Sequence, residues 1–349
     1  MKISVIIPVH NGGESIGCCL DALQKTHYDN WECIVVDDCS KDNTVAITKS
    51  FGFPVVVRSV YRLGPAEARN LGAQVARGDI LLFLDADVLV QSGTIGHVAA
   101  IFQSESDLAA CFGAYDDQPT ATNFLTQFRT LQQVYVHQHS AIESSMFRTK
   151  CGAIQRSIFL SLGGFHASSS IRPGIEDIEL GYRLHRQGYA VRSERLLQVK
   201  HMKRWELRSM VTSDIWDRAI PWTQLIVRNR FVPNDLNLLT SQRLSTAVSF
   251  MVLIACLFTA VSVWAWLFVW FTVFQLLWLN RHFYQFLGQK RGVLFLIRAI
   301  PMHWLYFFYT GGAFLIGLFT FKSVKFAQFL QSVHNKPFYS STIHPFDTR

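Results

Sequence analysis

The chain has 349 residues, half of them hydrophobic, with 33 Lys and Arg against 25 Asp and Glu, for a formal charge of +8. That apolar content excludes a disordered chain, and seven cysteines without metal-ligand spacing read as reduced thiols, not as a disulfide scaffold. The length leaves room for one α/β domain of about 200–240 residues and a second module.

Ile3 to Val9 reads as a buried strand that stops at the turn signal His10-Asn11-Gly12-Gly13. A helix is expected from about Glu14 to Gln24, then a strand over Glu32 to Val36 ending in Asp37-Asp38. A short strand, Pro54 to Val57, leads to a helix through Ala68-Arg69-Asn70. Gly78-Asp79 opens the apolar run Ile80 to Leu84, which ends in Asp85-Ala86-Asp87. Such alternation predicts an α/β fold with a doubly wound, mostly parallel sheet, whose ligands lie beyond the carboxyl ends of the strands. Along an extended chain Asp85 and Asp87 point the same way, and two neighbouring carboxylates repel unless a cation joins them. Mg²⁺ or Mn²⁺ shared with substrate phosphates is the usual solution.

Further on, Asn123 to Ser140 is polar and helix-prone, so His137 and His139 are expected on its surface. A loop from Gly163 to Gly174 precedes Glu176-Asp177 and a helix over Ile178 to Gln187. Acidic residues at a helix start also suit the helix dipole, without any catalytic role. Strand-like runs over Tyr189 to Arg192 and Leu196 to Val199 lead into Lys200-His201-Met202-Lys203-Arg204-Trp205.

Taken in order, Ser4 to Asn11, Val36 to Asp42, Ala68-Arg69-Asn70, Asp85-Ala86-Asp87, Cys151 to Ile154, Gly163-Gly164-Phe165 and Glu176 to Arg183 resemble the motifs of family 2 glycosyltransferases of the GT-A fold. The likeness covers about the first 200 residues. It implies a nucleotide-diphosphate sugar donor, Mg²⁺ or Mn²⁺, and inversion at the anomeric carbon. By resemblance, Pro8 borders the nucleotide, Asp38 takes a hydrogen bond from the base, and Arg69 lies near the nucleotide and diphosphate. Asp85 contacts ribose or metal, Asp87 coordinates the metal, and His201 completes its shell. Asp177 is the catalytic base, with Glu176 beside it. Arg204-Trp205 matches only the end of the Gln-x-x-Arg-Trp signature of processive synthases, with His201 at its first position. A polysaccharide synthase is therefore the weaker alternative, and a non-catalytic nucleotide-sugar-binding scaffold a third. Trp205 is expected at an acceptor mouth or at the bilayer interface.

The C-terminal third carries no charged residue between Arg243 and Arg281. Ala247 to Leu279 as a single helix would reach about 50 Å, whereas a bilayer core needs about 20 residues. A hairpin turning near Val261 to Ala265 is expected, since basic residues flank both ends. Gly292 to Ile300 is expected to lie at the interface, before a further span over Met302 to Phe321. The expected organisation is a catalytic domain over 1–230 ending in an interfacial helix, a linker over 231–243, two or three transmembrane helices within 244–321, and a tail over 322–349. Basic residues gathered around the apolar runs point to anionic headgroups and not to nucleic acid. Met1 leads directly into the first strand without a signal-peptide pattern. The expectation is thus a multi-pass protein of the bacterial inner membrane, with a cytoplasmic catalytic domain and a lipid-linked or membrane-surface acceptor.

Overall fold

The computed structural model describes residues 1–166 and 174–321. Most of the expected Gly163–Gly174 loop and all of the tail, with Lys322 and Lys325, lie outside the described residues.

The first half alternates as the sequence predicts. Strands β1 (Ile3–Val9), β2 (Trp31–Asp37), β3 (Val55–Arg58), β4 (Ile80–Leu84), β5 (Val88–Val90) and β6 (Leu108–Tyr115) are interleaved with helices α1 (Ile16–Gln24), α2 (Thr44–Ser50), α3 (Pro65–Val75) and α4 (Thr94–Ser104). Helix α5 (Phe124–His139) precedes β7 (Cys151–Gln155) and α6 (Arg156–Ser161). Helix α7 (Glu176–Arg186) then leads to the long strand β8 (Ala190–His201). The eight strands form one sheet in the order β3-β2-β1-β4-β7-β6-β8-β5. The pairs β3/β2, β2/β1 and β1/β4 are parallel, as expected. Beyond β4 the sheet is mixed: β7 runs antiparallel to both neighbours, and β5 antiparallel to β8.

Strands β1 and β4 are buried on both faces, which explains their unbroken apolar runs. Val5, Ile7, Leu82 and Leu84 pack on one side under α1 and α4. Ile6, Leu81 and Phe83 pack on the other, with Phe159, Phe165, Ile178 and Leu180. Because ladder and core fill both faces, partly exposed acidic side chains come just past the strand end, as at Asp85 and Asp87 after β4.

After β8 come α8 (Leu207–Thr212), a π-helix (Ser213–Ala219) and α9 (Ile220–Asn229). A 3₁₀ turn (Leu236–Leu238) then leads to α10 (Thr240–Phe258), α11 (Ala265–Leu279), α12 (Arg281–Arg291) and α13 (Val293–Phe321). The chain turns between α10 and α11, where the hairpin was expected. Within the segment expected at an interface, Val293 to Ile300 forms the start of α13, and α12 before it is amphipathic. Helices α10 and α13 are long and apolar enough to cross a membrane, and only 22% of their most apolar windows is buried. Leu257, Trp264, Leu267, Trp270 and Phe274 are among the large side chains that α10, α11 and their turn expose. A buried soluble core would hide them.

The C-terminal helices are docked on the sheet and its helices. Phe128 and Leu131 of α5, with Trp205 and Met210, pack against Phe283, Tyr284 and Leu287 of α12 and Ala299 and Met302 of α13. Polar contacts fix the register: Lys290 pairs with Asp117 at 2.6 Å, and the Tyr309 hydroxyl donates to Asp214 Oδ2 at 2.8 Å. Asp214 also takes an ion pair from Arg129.

Candidate active site

The carboxyl ends of β1, β2 and β4 open on one side. Pro8 lies near the end of β1, in register with Val36. Asp38 follows β2, and its oxygens accept from the backbone amides of Leu63 at 2.6 Å and Gly64 at 2.9 Å and from the Ser59 hydroxyl at 3.3 Å. Asp38 thus holds the loop that enters α3. A carboxylate offers about four lone-pair sites, so room remains for one further donor.

Asp85 and Asp87 do not extend the strand. They sit in the tight turn between β4 and β5, closed by the Val88 amide on the Asp85 carbonyl at 3.3 Å. Each carboxylate has its own partner. Asp85 Oδ1 accepts from Arg69 at 2.9 Å, and Asp87 Oδ2 lies 3.4 Å from His201 Nε2. His201 is at the last position of β8 because β8 pairs antiparallel with β5, which sets Val88 opposite it. The His201 ring stacks on Tyr115 at 4.1 Å between centroids, with the ring planes nearly parallel. Burial, reinforced by Asp87, raises the Asp85 pKa against the pull of Arg69. For Asp87 burial acts upward too, but the hydrogen bond and charge of His201, with Lys203, bring the net pKa below the usual carboxylate range.

Arg69 is the hinge of the site. Its guanidinium is 4% exposed and bridges Asp85 to Glu176 Oε1, the latter at 3.0 Å. Expected beside the diphosphate, it faces two protein carboxylates. The other Glu176 oxygen accepts the Gly174 amide at 2.9 Å. Burial raises the Glu176 pKa, and the adjoining Asp177 adds to the effect. Asp177, at the second residue of α7, accepts from the Ile178 amide at 2.8 Å and the Thr149 amide at 3.4 Å. Its side chain is partly exposed.

The remaining motif residues brace this arrangement. Asn70 exchanges two hydrogen bonds of 2.8 Å with the Phe165 backbone. Arg183 donates to the carbonyls of Leu162 and Gly164 and pairs with Glu179. Gly164 has φ +72°, and a Cβ there would meet Asn70 Oδ1 at 2.5 Å. Gly164→Ala should therefore cost roughly 1–3 kcal/mol through left-handed strain alone, measured by urea unfolding. An unchanged midpoint would show that this turn is not held as described.

Other expectations land differently. His137 is buried, not superficial: its ring contacts the Glu194 carbonyl at 3.1 Å and the Ser193 hydroxyl at 3.3 Å, and burial lowers its pKa to about 4. Trp205, expected at a mouth or interface, is 8% exposed and buried where α5 meets α12, while Arg204 is exposed. Tyr115, Asn70, Arg183 and Lys150 were not singled out from the sequence. Of these four, Asn70 and Arg183 lie within the motif runs, which is the signal by which they could have been found.

Among the described residues, no three His, Cys, Asp or Glu side chains converge to hold a metal unaided. The donor set still fits a hard divalent ion that is completed by substrate phosphates: one or two carboxylate oxygens at Asp85 and Asp87, with an imidazole beside them.

Residues 4–163 match the family model described as Glycosyl transferase family 2. An uncharacterized glycosyltransferase of Haemophilus influenzae is 30% identical over 189 residues, covering 52% of this chain and 61% of the relative. Validoxylamine A glucosyltransferase of Streptomyces hygroscopicus subsp. jinggangensis is 29% identical over 221 residues, covering 53% of this chain and 52% of its own. The chain thus spans less than two thirds of the length of these curated relatives. A mannosyltransferase from Pyrobaculum calidifontis, solved with GDP-Man and Mn²⁺, superposes with a TM-score of 0.60 at 19% identity, covering 86% of each chain. The fold is shared with that enzyme.

Proposed function

We propose that this chain, which carries a family 2 glycosyltransferase domain over residues 4–163, is a membrane-bound inverting glycosyltransferase. It moves a sugar from a nucleotide-diphosphate donor to a hydroxyl of a lipid-linked or membrane-surface acceptor. The observation that carries this reading is the continuity of the site. Asp87 and His201 form one corner, and Arg69 ties the adjacent Asp85 to Glu176, next to Asp177.

In this mechanism Pro8 and Asp38 border the nucleobase, and Asp87, with Asp85 and His201, would hold Mg²⁺ or Mn²⁺. The ion, when bound, offsets the charge of the departing diphosphate. Asp177 takes the proton of the acceptor hydroxyl as that oxygen bonds to the sugar C1. The bond from C1 to the diphosphate oxygen breaks on the opposite face, and the nucleoside diphosphate leaves. The amides of Ile178 and Thr149 fix the Asp177 carboxylate without covering it. Orientation of acceptor and donor is the larger share of the work.

The membrane placement is supported by the exposed apolar surface of α10, α11 and α13. Arg243 and Arg281 at the two ends of the α10–α11 hairpin favour both ends being cytoplasmic. The catalytic layers would then face the cytoplasm, where nucleotide sugars are made.

Donor cleavage by the full-length protein in membranes, across UDP- and GDP-sugars with Mn²⁺ or Mg²⁺, tests the reading. Release of one nucleotide, dependent on the ion and lost in Asp87→Ala, is the expected result. Cleavage that persists in Asp87→Ala would remove Asp87 from the site.

A further inference from the structure

A second polar constellation lies beside the base and takes no part in the mechanism above. Arg148, Lys150 and Arg218 line one small cavity, together with Gln133, His137 and Asn237. Three cations share it, yet among the described residues none of them makes an ion pair with a carboxylate. The nearby acids are committed elsewhere. Asp214 is held by Arg129 and Tyr309, and Asp235 by the Ser144 hydroxyl and the Leu236 amide. Asp177 is held by backbone amides, and its charge acts on Arg148 and Lys150 through space without an ion pair. Among the described residues Lys150 donates to Gln133 Oε1 at 2.9 Å and lies over the face of Tyr115 at 4.3 Å. Arg148 lies over the Trp222 ring. Arg148 is buried and Lys150 and Arg218 are half-buried, and cations withdrawn from water are costly until an anion completes them.

Backbone geometry supports a built site. Arg218 stands on the π-helix 213–219, a rare winding found frequently at functional sites. In an α-helix Asp214 and Arg218 would be i,i+4 partners. Here Asp214 turns to Arg129 and α13, and Arg218 is left to the cavity.

Position and size select the ligand. Arg148 and Lys150 flank Thr149, whose amide holds Asp177, so the cavity adjoins the base. The Tyr115 ring touches both Lys150 and His201, so the donor corner is one ring away. On the far side α13 grips the same π-helix through Tyr309. The cavity, of ≈ 30 Å³, has room for about two water-sized groups, the size of phosphoryl oxygens. Burial, with Arg218 and Arg148 close by, holds the Lys150 pKa well below its ordinary value, a strain that an anion would relieve.

We propose that Arg148, Lys150 and Arg218 bind the phosphate group of a membrane-borne acceptor, whose hydroxyl is thereby presented to Asp177. The assignment rests on the transferase reading above; the phosphate is held and not consumed.

The test uses the full-length protein in uncharged detergent, with inorganic phosphate and farnesyl phosphate as probes and calorimetry as readout. Inorganic phosphate should bind saturably, and Arg218→Gln and Lys150→Met should each weaken it about tenfold or more, as loss of a charged hydrogen bond implies. Unchanged melting curves would show that both variants fold. Farnesyl phosphate should displace inorganic phosphate while farnesol does not, and saturating UDP or GDP with Mn²⁺ should leave phosphate affinity unchanged. Absence of phosphate binding, or equal binding by the variants, overturns the site. Displacement by the nucleotide assigns the cavity to the donor, and failure of farnesyl phosphate to compete assigns it to a soluble anion; either overturns the proposal. Binding is read without turnover, so donor cleavage without phosphate binding defeats this site alone. Phosphate binding without any donor cleavage defeats the transferase reading and, with it, the acceptor role.

Discussion

Asp177→Asn is expected to lower kcat about 10²–10⁴-fold, the usual worth of general-base assistance. Asn keeps the size of the side chain and one acceptor for the Ile178 or Thr149 amide, so α7 should start where it does now. What it loses is the ability to take a proton. The donor contacts proposed here lie on β1, just after β2, in the turn after β4 and at the end of β8, none of them on α7. Donor KM and binding of the free nucleoside diphosphate should therefore stay within about twofold while kcat collapses, the pattern of an interaction made only in the transition state. Glu176→Gln is the informative companion. Both Glu176 oxygens are engaged, by Arg69 and the Gly174 amide, so that variant should act through stability and position. A non-catalytic scaffold predicts no change in turnover for Asp177→Asn, because there is none to lose. Equal turnover by wild type and variant would remove Asp177 from the chemistry.

The parts of the site that were legible in the sequence are those fixed by local chain order. Apolar runs ending in Asp37-Asp38 and Asp85-Ala86-Asp87 announce strands whose ends carry acids, and β2 and β4 end there. The parts that were not legible depend on pairing between distant segments. Nothing local says that β8 runs antiparallel to β5 and delivers His201 to Asp87, or that β7 reverses the sheet. Periodicity could not bury His137 either, since its burial comes from β8, whose Glu194 carbonyl and Ser193 hydroxyl meet its ring. The geometric reason offered for Asp85 and Asp87 was a strand alternation, whereas the structure uses a tight turn. Trp205 shows the same limit. Its place after His201 suggested a mouth, but α12 arrives from about 80 residues further along the chain and covers it.

Arg69→Met should be the most damaging substitution for stability, by about 3–5 kcal/mol, because it removes one cation from between two largely buried carboxylates. Methionine matches the length of the stem, so the loss is of charge and hydrogen bonds more than of packing. The pH dependence gives the sign that separates this cause from a simple cavity. Burial already raises the Asp85 and Glu176 pKa values, and Arg69 opposes that rise for both. Without Arg69 their folded-state pKa values move further above the unfolded ones. A group raised on folding binds more protons in the native state, so its contribution is favourable at low pH and lost as pH rises through the folded pKa. The deficit of Arg69→Met relative to wild type should therefore shrink as pH is lowered from about 7.5 to about 5, measured by urea unfolding at each pH. A cavity would leave a deficit independent of pH. Arg69→Lys tests the fork: one ammonium cannot donate to Asp85 and Glu176 in the fixed geometry of a guanidinium. It should recover part of the stability, yet leave Asp85 and α7 less firmly tied and turnover low. Full recovery of turnover by lysine would mean that charge alone, without the bridge from β4 to α7, sets the distance between the metal corner and the base.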